Sequence, residues 1–465
     1  MAPGERVARR AYGAYHRDKT PPREDEELTR VGPGTPCGEY FRRFWHPVAL
    51  AADLDDVPLR LRILGEDLVL FRDLGGRLGL LELHCPHRGT SLEYGKLDAR
   101  GIRCCYHGWH FDIDGRILDT PTHGDSGFRE RAFHGAYQVQ EYAGMIWAYM
   151  GAPEATPDFP LFDVYEKPGV THTAYKFHWP CNWLQIRENG MDPLHAKYLH
   201  ADAGQKFPSA MKVLPVLDFR ESPLGMLYIT VRRIGEMLYL RQNEIFLPNA
   251  DWVNGLEDAQ GETVFDRRGG GTDFVVPIDD ASSYFFMLLD VTRDQRDTGL
   301  DGLWDRDRSE EIAQGLNASI PTSGQHGERP YRERQISAGD WDACTSQGAI
   351  HAHGGENLGT SDAGVVRFRN LIRREIDAVR QGHEPKGVYR GRGGKPIRTH
   401  GHNTVLRVPR AATPEADRAL CVALYEAFLG EAVDGDLCQE LPVADKWRIA
   451  RGVVERIVAG RDAAP

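Results

Sequence analysis

Two short clusters of metal-binding side chains constrain this chain more than any other feature: His84-Cys85-Pro86-His87-Arg88-Gly89 and Cys104-Cys105-Tyr106-His107-Gly108-Trp109. Each carries a glycine that lets the backbone turn tightly, so the two read as loops closing on one metal centre. Taken as Cys85-x-His87 and Cys104-x-x-His107, with residues 88–103 between the pairs, they supply two thiolates and two imidazoles. Cys105-x-His107 also scans as a pair, which makes Cys105 a rival ligand at this level.

The residues around the clusters alternate. Leu59, Leu61 and Ile63, then Leu68-Val69-Leu70-Phe71, then Leu78 and Leu80-Leu81 are separated by turn signals such as Gly75-Gly76 and Asp114-Gly115. Period two with glycine-bearing turns predicts a small antiparallel β domain with both clusters at strand ends. Met145–Met150 is expected to close it as a last strand, with 153–168 as linker. Residues 1–30 are charged and proline-bearing and are expected to form a poorly ordered arm or a subunit-contact tail. The aromatic run Tyr40–Pro47 is expected to pack against the next domain.

Strands are expected near 226–240, 244–247, 273–278 and 283–291, with helical spacing over 365–379 after Ser361-Asp362, over 417–428 and over 447–458. The class is therefore α+β in three segments: an arm (1–30), an antiparallel β domain (31–165) and a larger domain of antiparallel sheet and helices (166–465).

Composition matters mainly for what it excludes. A net charge of −11 argues against nucleic-acid binding, and the chain contains no run of eighteen apolar residues, as a membrane span would need. Arg9-Arg10 is followed by no apolar segment, so no secretory signal is expected and cytoplasmic residence is the default. Eight cysteines in 465 residues are too sparse for a disulfide framework.

A Cys2His2 set admits two chemistries. Zinc fingers use it to hold a helix, whereas a Rieske [2Fe-2S] cluster places two cysteines on one iron and two histidines on the other. Here each loop offers one cysteine and one histidine among strands, which favours the cluster over zinc.

A second constellation follows at 186–200, Ile186-Arg187-Glu188-Asn189-Gly190-Met191-Asp192-Pro193-Leu194-His195-Ala196-Lys197-Tyr198-Leu199-His200. Asn189, Asp192 and His195 are three apart and share a helix face. His200 lies five further on, so both histidines reach one point only if the helix is irregular there, which Gly190 and Pro193 allow. Read blandly, Asp192 is an N-cap and His195 an ordinary half-buried histidine.

Cys85-Pro-His87-Arg-Gly with Cys104-Cys-Tyr-His107-Gly-Trp109 resembles the Rieske domain of ring-hydroxylating oxygenases, and Asn-x-x-Asp-x-x-His-x-x-x-x-His resembles their second signature. Val31-Gly-Pro-Gly-Thr-Pro, Phe44-Trp45, Leu64-Gly-Glu-Asp-Leu, Ile146-Trp-Ala-Tyr-Met-Gly151, Cys181-Asn-Trp-Leu-Gln185 and Glu356-Asn-Leu-Gly-Thr-Ser-Asp362 are similar to the phthalate 4,5-dioxygenase-like subgroup. Arg187–Leu194 departs from that subgroup's pattern, which leaves the substrate open. Respiratory Rieske proteins add a disulfide at positions that here are Thr90 and Tyr106, which places the chain on the oxygenase branch.

The resemblance implies a helix-grip (START-like) catalytic domain and two cofactors, a [2Fe-2S] cluster on Cys85, His87, Cys104 and His107 and a mononuclear Fe(II) on His195, His200 and Asp362. Glu356 is the runner-up for the third ligand. Cys105 then becomes a packing residue, His84 and His110 hold their loops by hydrogen bonds, and His351 and His353 are extra metal-competent side chains near the third ligand. Catalytic roles fall on Asp192, bridging His195 to His107 of a neighbouring subunit, and on Asn189. Trp183 and Tyr198 are expected to pack the site, and strands 226–247 and 273–291 to line the substrate pocket.

The implied activity is that of a terminal oxygenase using O2 to hydroxylate or oxidatively demethylate a small aromatic or heterocyclic substrate. Its electrons would come from a separate NAD(P)H-dependent reductase or ferredoxin, because this chain shows no nucleotide-binding glycine fingerprint. A homotrimer, or a hexamer of stacked trimers, is the expected assembly. The rival readings are a Rieske-type electron carrier and a non-catalytic metal-binding protein.

Overall fold

A computed structural model describes residues 11–16, 20–123, 127, 129, 131–166, 170–201, 209–254, 264–265, 270–292, 324–435, 437, 441 and 443–462. The first half builds a six-stranded antiparallel sheet in the order Trp45–Leu50, Met145–Tyr149, Ala136–Tyr142, Leu78–Glu82, Glu66–Arg72, Leu59–Ile63. Strand Glu66–Arg72 is apolar on both sides. Leu68 and Leu70 enter the large core, while Val69 and Phe71 face a second cluster that also contains Cys85, Cys104 and Trp109. A smaller sheet, Lys96–Leu97, Ile102–Arg103, His110–Phe111 and Ile117–Asp119, carries the second Cys/His loop.

Buried charges tie the two sheets together. Arg77 bonds Asp73 at 2.7 Å and Asp112 at 2.9 Å, and Arg100 reaches Asp112 at 2.6 Å. Asp73 also accepts the Gly101 amide at 3.0 Å.

The second half is a nine-stranded sheet. Val170–Trp179, Ser282–Thr292, Gly271–Asp279, Ala250–Val253, Met237–Phe246, Gly225–Ile234 and Val216–Glu221 run side by side, His402–Arg407 joins along Met237–Phe246, and Val264–Phe265 pairs with His402–Arg407. The strand expected over 226–240 is instead a hairpin, because Ile234 pairs with Met237 across Gly235-Glu236 and Gly235 takes a left-handed φ of 59°. One face of this sheet is apolar: Ile229, Val231, Leu238 and Leu240 lie under Leu420, Leu424, Phe428, Ala450 and Val453 of the helices Pro414–Val433 and Val443–Asp462. The opposite face turns toward the helix Trp183–Met191.

The expectation of a loose arm is corrected from residue 20 onward; residues 1–10 and 17–19 lie outside the described residues. Leu28 and Thr29 are fully buried. Trp183 donates to Leu28 O at 2.9 Å and Asn182 to Thr29 O at 2.8 Å. The charges of this segment are paired within the chain, Asp25 with Arg373 and Glu27 with Arg380.

A glycine at the sheet junction gives a test of this architecture. Gly101 has φ +80°, and a Cβ there would lie 1.9 Å from Phe111 O. Gly101→Ala is expected to cost on the order of 1–3 kcal/mol or more, read as a lower melting temperature together with loss of cluster absorbance.

Candidate metal centres

The two Cys/His loops have the same backbone. Cys85 N donates to Thr90 O at 2.9 Å and Gly89 N back to Cys85 O at 2.9 Å; Cys104 N donates to Trp109 O at 2.8 Å and Gly108 N to Cys104 O at 3.0 Å. Gly89 and Gly108 close the turns at φ 74° and 73°. The cysteines point inward, 2% and 4% exposed, and the thiols touch. Burial pushes the Cys85 thiol up to about 12, with Cys104 adding to the rise. Two adjacent buried thiols suit a metal that takes them as thiolates.

The histidines stand at the outer edge. His87 and His107 rings lie 4.5 Å apart, and His87 stacks on Trp109 at 5.0 Å and 3°. His84 bonds Gly89 O at 3.0 Å and His110 bonds Arg100 O, as loop anchors should. Cys105 is exposed, which corrects its expected role as a packing residue. The turn that aims Cys104 at Cys85 sends the next side chain outward.

The second constellation starts on the helix Trp183–Met191, capped at Asn182, whose side chain accepts from Leu184 N at 3.0 Å. The helix stops at Asp192. There the Asp192 carboxylate turns to accept Leu194 N at 2.8 Å and His195 N at 3.3 Å. A π-helical segment, Ala196–Ala201, follows. Its wide turn brings residues five apart onto one side, and the His195 and His200 rings face each other with centroids 5.2 Å apart.

The carboxylate facing them is Asp340. Its Oδ1 lies 3.5 Å from His195 Nε2 and 3.2 Å from His200 Nε2, and one ligand atom from each residue falls within 4.8 Å of the others. Asn189 donates to Asp340 Oδ1 at 2.9 Å and Gln325 to Oδ2 at 2.5 Å. Burial alone would raise the Asp340 carboxyl, but His200, His195 and Asn189 outweigh it and hold it well below the usual carboxylate range. His195 Nδ1 donates to Asp192 O at 2.5 Å, so Nε2 is the nitrogen aimed inward.

Asp362, the expected third ligand, is not at this site. Its Oδ2 accepts Gly359 N at 2.6 Å just before the helix Ala363–Arg380. Glu356 is also committed elsewhere, to Arg369 at 2.6 Å and His351 at 3.1 Å. Arg369 also holds Glu188, whose carboxyl burial pushes up to about 7. His351 and His353 are half-buried, and His353 Nδ1 accepts Asp25 N at 3.3 Å. Trp183 is fully buried in the core, whereas Tyr198 is 60% exposed and does not pack the site.

Asp340 carried no distinguishing signal in the sequence. It opens the short helix Asp340–Thr345, where an acidic residue ordinarily serves the helix terminus. A groove of about 450 Å³ lined by Phe44, Trp45, Trp147, Phe246, Phe274 and Tyr389 lies at the seam of the sheets, and none of the Cys/His cluster residues, His195, His200 or Asp340 lines it.

Comparison with known proteins identifies the class these centres define. A Rieske [2Fe-2S] domain matches residues 44–142. The oxygenase subunit of tert-butanol monooxygenase / tert-amyl alcohol desaturase from Aquincola tertiaricarbonis is 37% identical over 443 residues, 90% of each chain. The phthalate 4,5-dioxygenase oxygenase subunit of Pseudomonas putida is 30% identical, covering 79% of this chain and 88% of its own. The solved structure of NdmA from Pseudomonas putida CBB5, a QL mutant with caffeine, shares the fold at TM-score 0.56 and 19% identity, over 77% of this chain and 94% of that one.

This chain belongs to the Rieske non-heme iron oxygenases, as an oxygenase subunit. Its cofactors are accordingly a [2Fe-2S] cluster and a mononuclear iron.

Which of the two carboxylates serves the histidine pair is directly testable. Asp340→Ala is expected to lose the mononuclear iron while keeping the cluster, and Asp362→Ala to keep both. Metal content and EPR of the reduced protein read the difference: about three irons per chain falling to about two in the first variant alone.

Proposed function

We propose that His195, His200 and Asp340 hold the catalytic iron and that Cys85, Cys104, His87 and His107 hold the cluster, in a subunit that oxidises a small organic molecule with O2. The observation that carries this is the buried carboxylate of Asp340 set against two imidazoles, with Asn189 and Gln325 fixing its oxygens. Iron bound by two histidines and a carboxylate supplies open coordination positions for dioxygen.

The protein's own part is orientation. Asp192 O fixes the His195 tautomer, Asn189 and Gln325 stop Asp340 from rotating, and the π-helical segment sets the separation of the histidines. A bland core reading of these residues explains neither three ligand atoms within 4.8 Å nor the π turn that aligns them.

In this reading a separate ferredoxin or reductase would supply the electrons, docking at the half-exposed edge formed by His87 and His107, the residues that would hold the cluster's outer iron. His107 would face the Asp192 of a neighbouring copy in a ring of three, alone or stacked as a hexamer. The Asp192 carboxylate is 37% exposed and lies 3.9 Å from His195 Nδ1, with its main-chain carbonyl holding the ring. That leaves the carboxylate oxygens accessible to a partner. The segments 31–165 and 166–465 serve as cluster and catalytic units. No helix among the described residues is long and apolar enough to cross a membrane, in keeping with a cytoplasmic enzyme. The reactions named for the relatives, tert-butanol monooxygenation with tert-amyl alcohol desaturation, phthalate dioxygenation and 5,5'-dehydrodivanillate O-demethylation, keep the outcome open between mono- and dihydroxylation, desaturation and demethylation.

Asp192→Asn is expected to retain both metal signals and the assembly size while turnover falls at least a hundredfold. Rapid-mixing kinetics of the reduced enzyme with O2 checks it; unchanged cluster oxidation in the variant would remove Asp192 from the electron route.

A further inference from the structure

On the sheet floor beneath the helix Trp183–Met191, two aspartates stand directly opposite each other on neighbouring strands: Asp251 of Ala250–Val253 pairs in register with Asp273 of Gly271–Asp279. Like charges placed this way destabilise an antiparallel pair. Both residues are buried, Asp251 at 1% exposure. The helix lays Arg187 over them, but unevenly. Its Nη1 donates to Asp273 Oδ1 at 2.6 Å and to Asn249 O at 3.1 Å, whereas Nη2 reaches Asp251 Oδ2 only at 3.4 Å. Asp251 Oδ1 has no hydrogen-bond partner among the described residues. Arg187 thus makes one close ion pair, with Asp273, and leaves the second carboxyl with a single long contact.

A carboxyl buried with so little support is far less costly as an acid than as an ion. Burial pushes the Asp251 carboxyl up to about 8; Asp273 and Glu244 add to the rise, and Arg187 and Arg241 oppose it without cancelling it. These are the charged groups that face it, from the helix above, from strand Gly271–Asp279 and from strand Met237–Phe246, and the Tyr228 hydroxyl of strand Gly225–Ile234 lies within electrostatic reach. Glu244 is itself bound to His400 at 2.8 Å. The helix backbone rests directly on this group. A Cβ on Gly190 would lie 2.2 Å from Arg187 Nη2 and 3.0 Å from Asp251 Oδ2. The residue before Gly190 is Asn189, whose amide holds Asp340, so a shift of Arg187 carries that amide with it.

We propose that Asp251 is a pH-sensitive latch on this helix: it keeps its proton at neutral pH, which leaves Arg187 to Asp273 alone, and losing that proton in alkaline solution sets two carboxylates against one guanidinium and loosens the hold on the mononuclear iron. The inference rests on His195, His200 and Asp340 as the iron's ligands. An ionised Asp251 competes for Arg187, draws Nη1 off its close bond to Asp273 and moves the helix that carries Asn189. Asparagine would fill the same space without titrating, so the acid adds a response to pH rather than a better fit. The folded carboxyl lies above an unfolded aspartate, near 3.9. The stability its protonated form contributes is therefore complete below about pH 4 and is lost as pH rises to about 8.

The test uses the enzyme with cluster and iron in place, kept anaerobic and equilibrated against EDTA, with retained iron read by metal analysis and the cluster by EPR. From about pH 7 to about pH 9, beyond the allowance for the chelator's own titration, wild type is expected to bind the mononuclear iron at least about tenfold more weakly while the cluster signal stays. Histidine deprotonation alone would tighten binding over that range. Asp251→Asn is expected to abolish the alkaline loss, and so is Asp273→Asn, which leaves Arg187 free for Asp251; either variant reads the competition if the other fails to fold. Infrared spectra give a readout independent of metal: a protonated-carboxyl stretch present in wild type at about pH 6, gone by about pH 9, and missing from Asp251→Asn. The latch is overturned if wild type shows no alkaline loss, if the loss persists in either variant, or if no such band depends on Asp251. Failure of the ligand assignment shows separately, as iron retained by Asp340→Ala, and leaves the infrared result standing.

Discussion

Everything around the catalytic centre hangs on the helix Trp183–Met191, whose side chains are committed on every side. Trp183 fixes it to Leu28, and Gln185 donates to Cys344 O and Gly348 O at 2.8 and 3.0 Å while accepting His351 N. Arg187 reaches the sheet floor, Glu188 binds Arg369, and Asn189 holds Asp340. Nine residues with this many long-range polar bonds cannot slide or rotate without exposing several buried groups at once. The site is held rigid by that cost.

The helix also explains why two distant segments meet. Gln185 grips the backbone at Cys344 and Gly348, which sets the position of the helix Asp340–Thr345, and Asp340 at its first turn then falls opposite His200. The Asp340 carboxylate is buried, and it remains ionised because two imidazoles and an amide face it. Removing any of them changes what the other residues must solvate. The same economy governs the cluster loops, where one pair of backbone hydrogen bonds, repeated in each loop, turns the thiols inward and leaves the histidines at the edge.

The two centres differ in accessibility, and on the proposed assignment that difference suits their tasks. His87 and His107 sit at a half-exposed rim, suited to passing electrons between molecules, whereas His200 and Asp340 are 7% and 6% exposed, suited to excluding water from an oxidising site. Asp192 stands between these regimes: its backbone serves the buried histidine and its carboxylate is open to the outside.

Local patterns were legible in the sequence because the chemistry they encode is local. The Cys-x-His and Cys-x-x-His spacings define two tight turns, each needing a left-handed glycine, and period-two alternation marks strands of the six-stranded sheet. The five-residue spacing of His195 and His200 demanded an irregular helix, and the π-helical segment supplies it. What the sequence could not disclose is which distant carboxylate stands beside His195 and His200. Asp340, Asp342, Glu356 and Asp362 are all acidic residues at or near helix starts, and nothing in their neighbours separates them. Tertiary structure puts Asp340 there, because the bonds of Gln185 place its helix, while Asp362 accepts the amide of Gly359 in the turn before helix Ala363–Arg380.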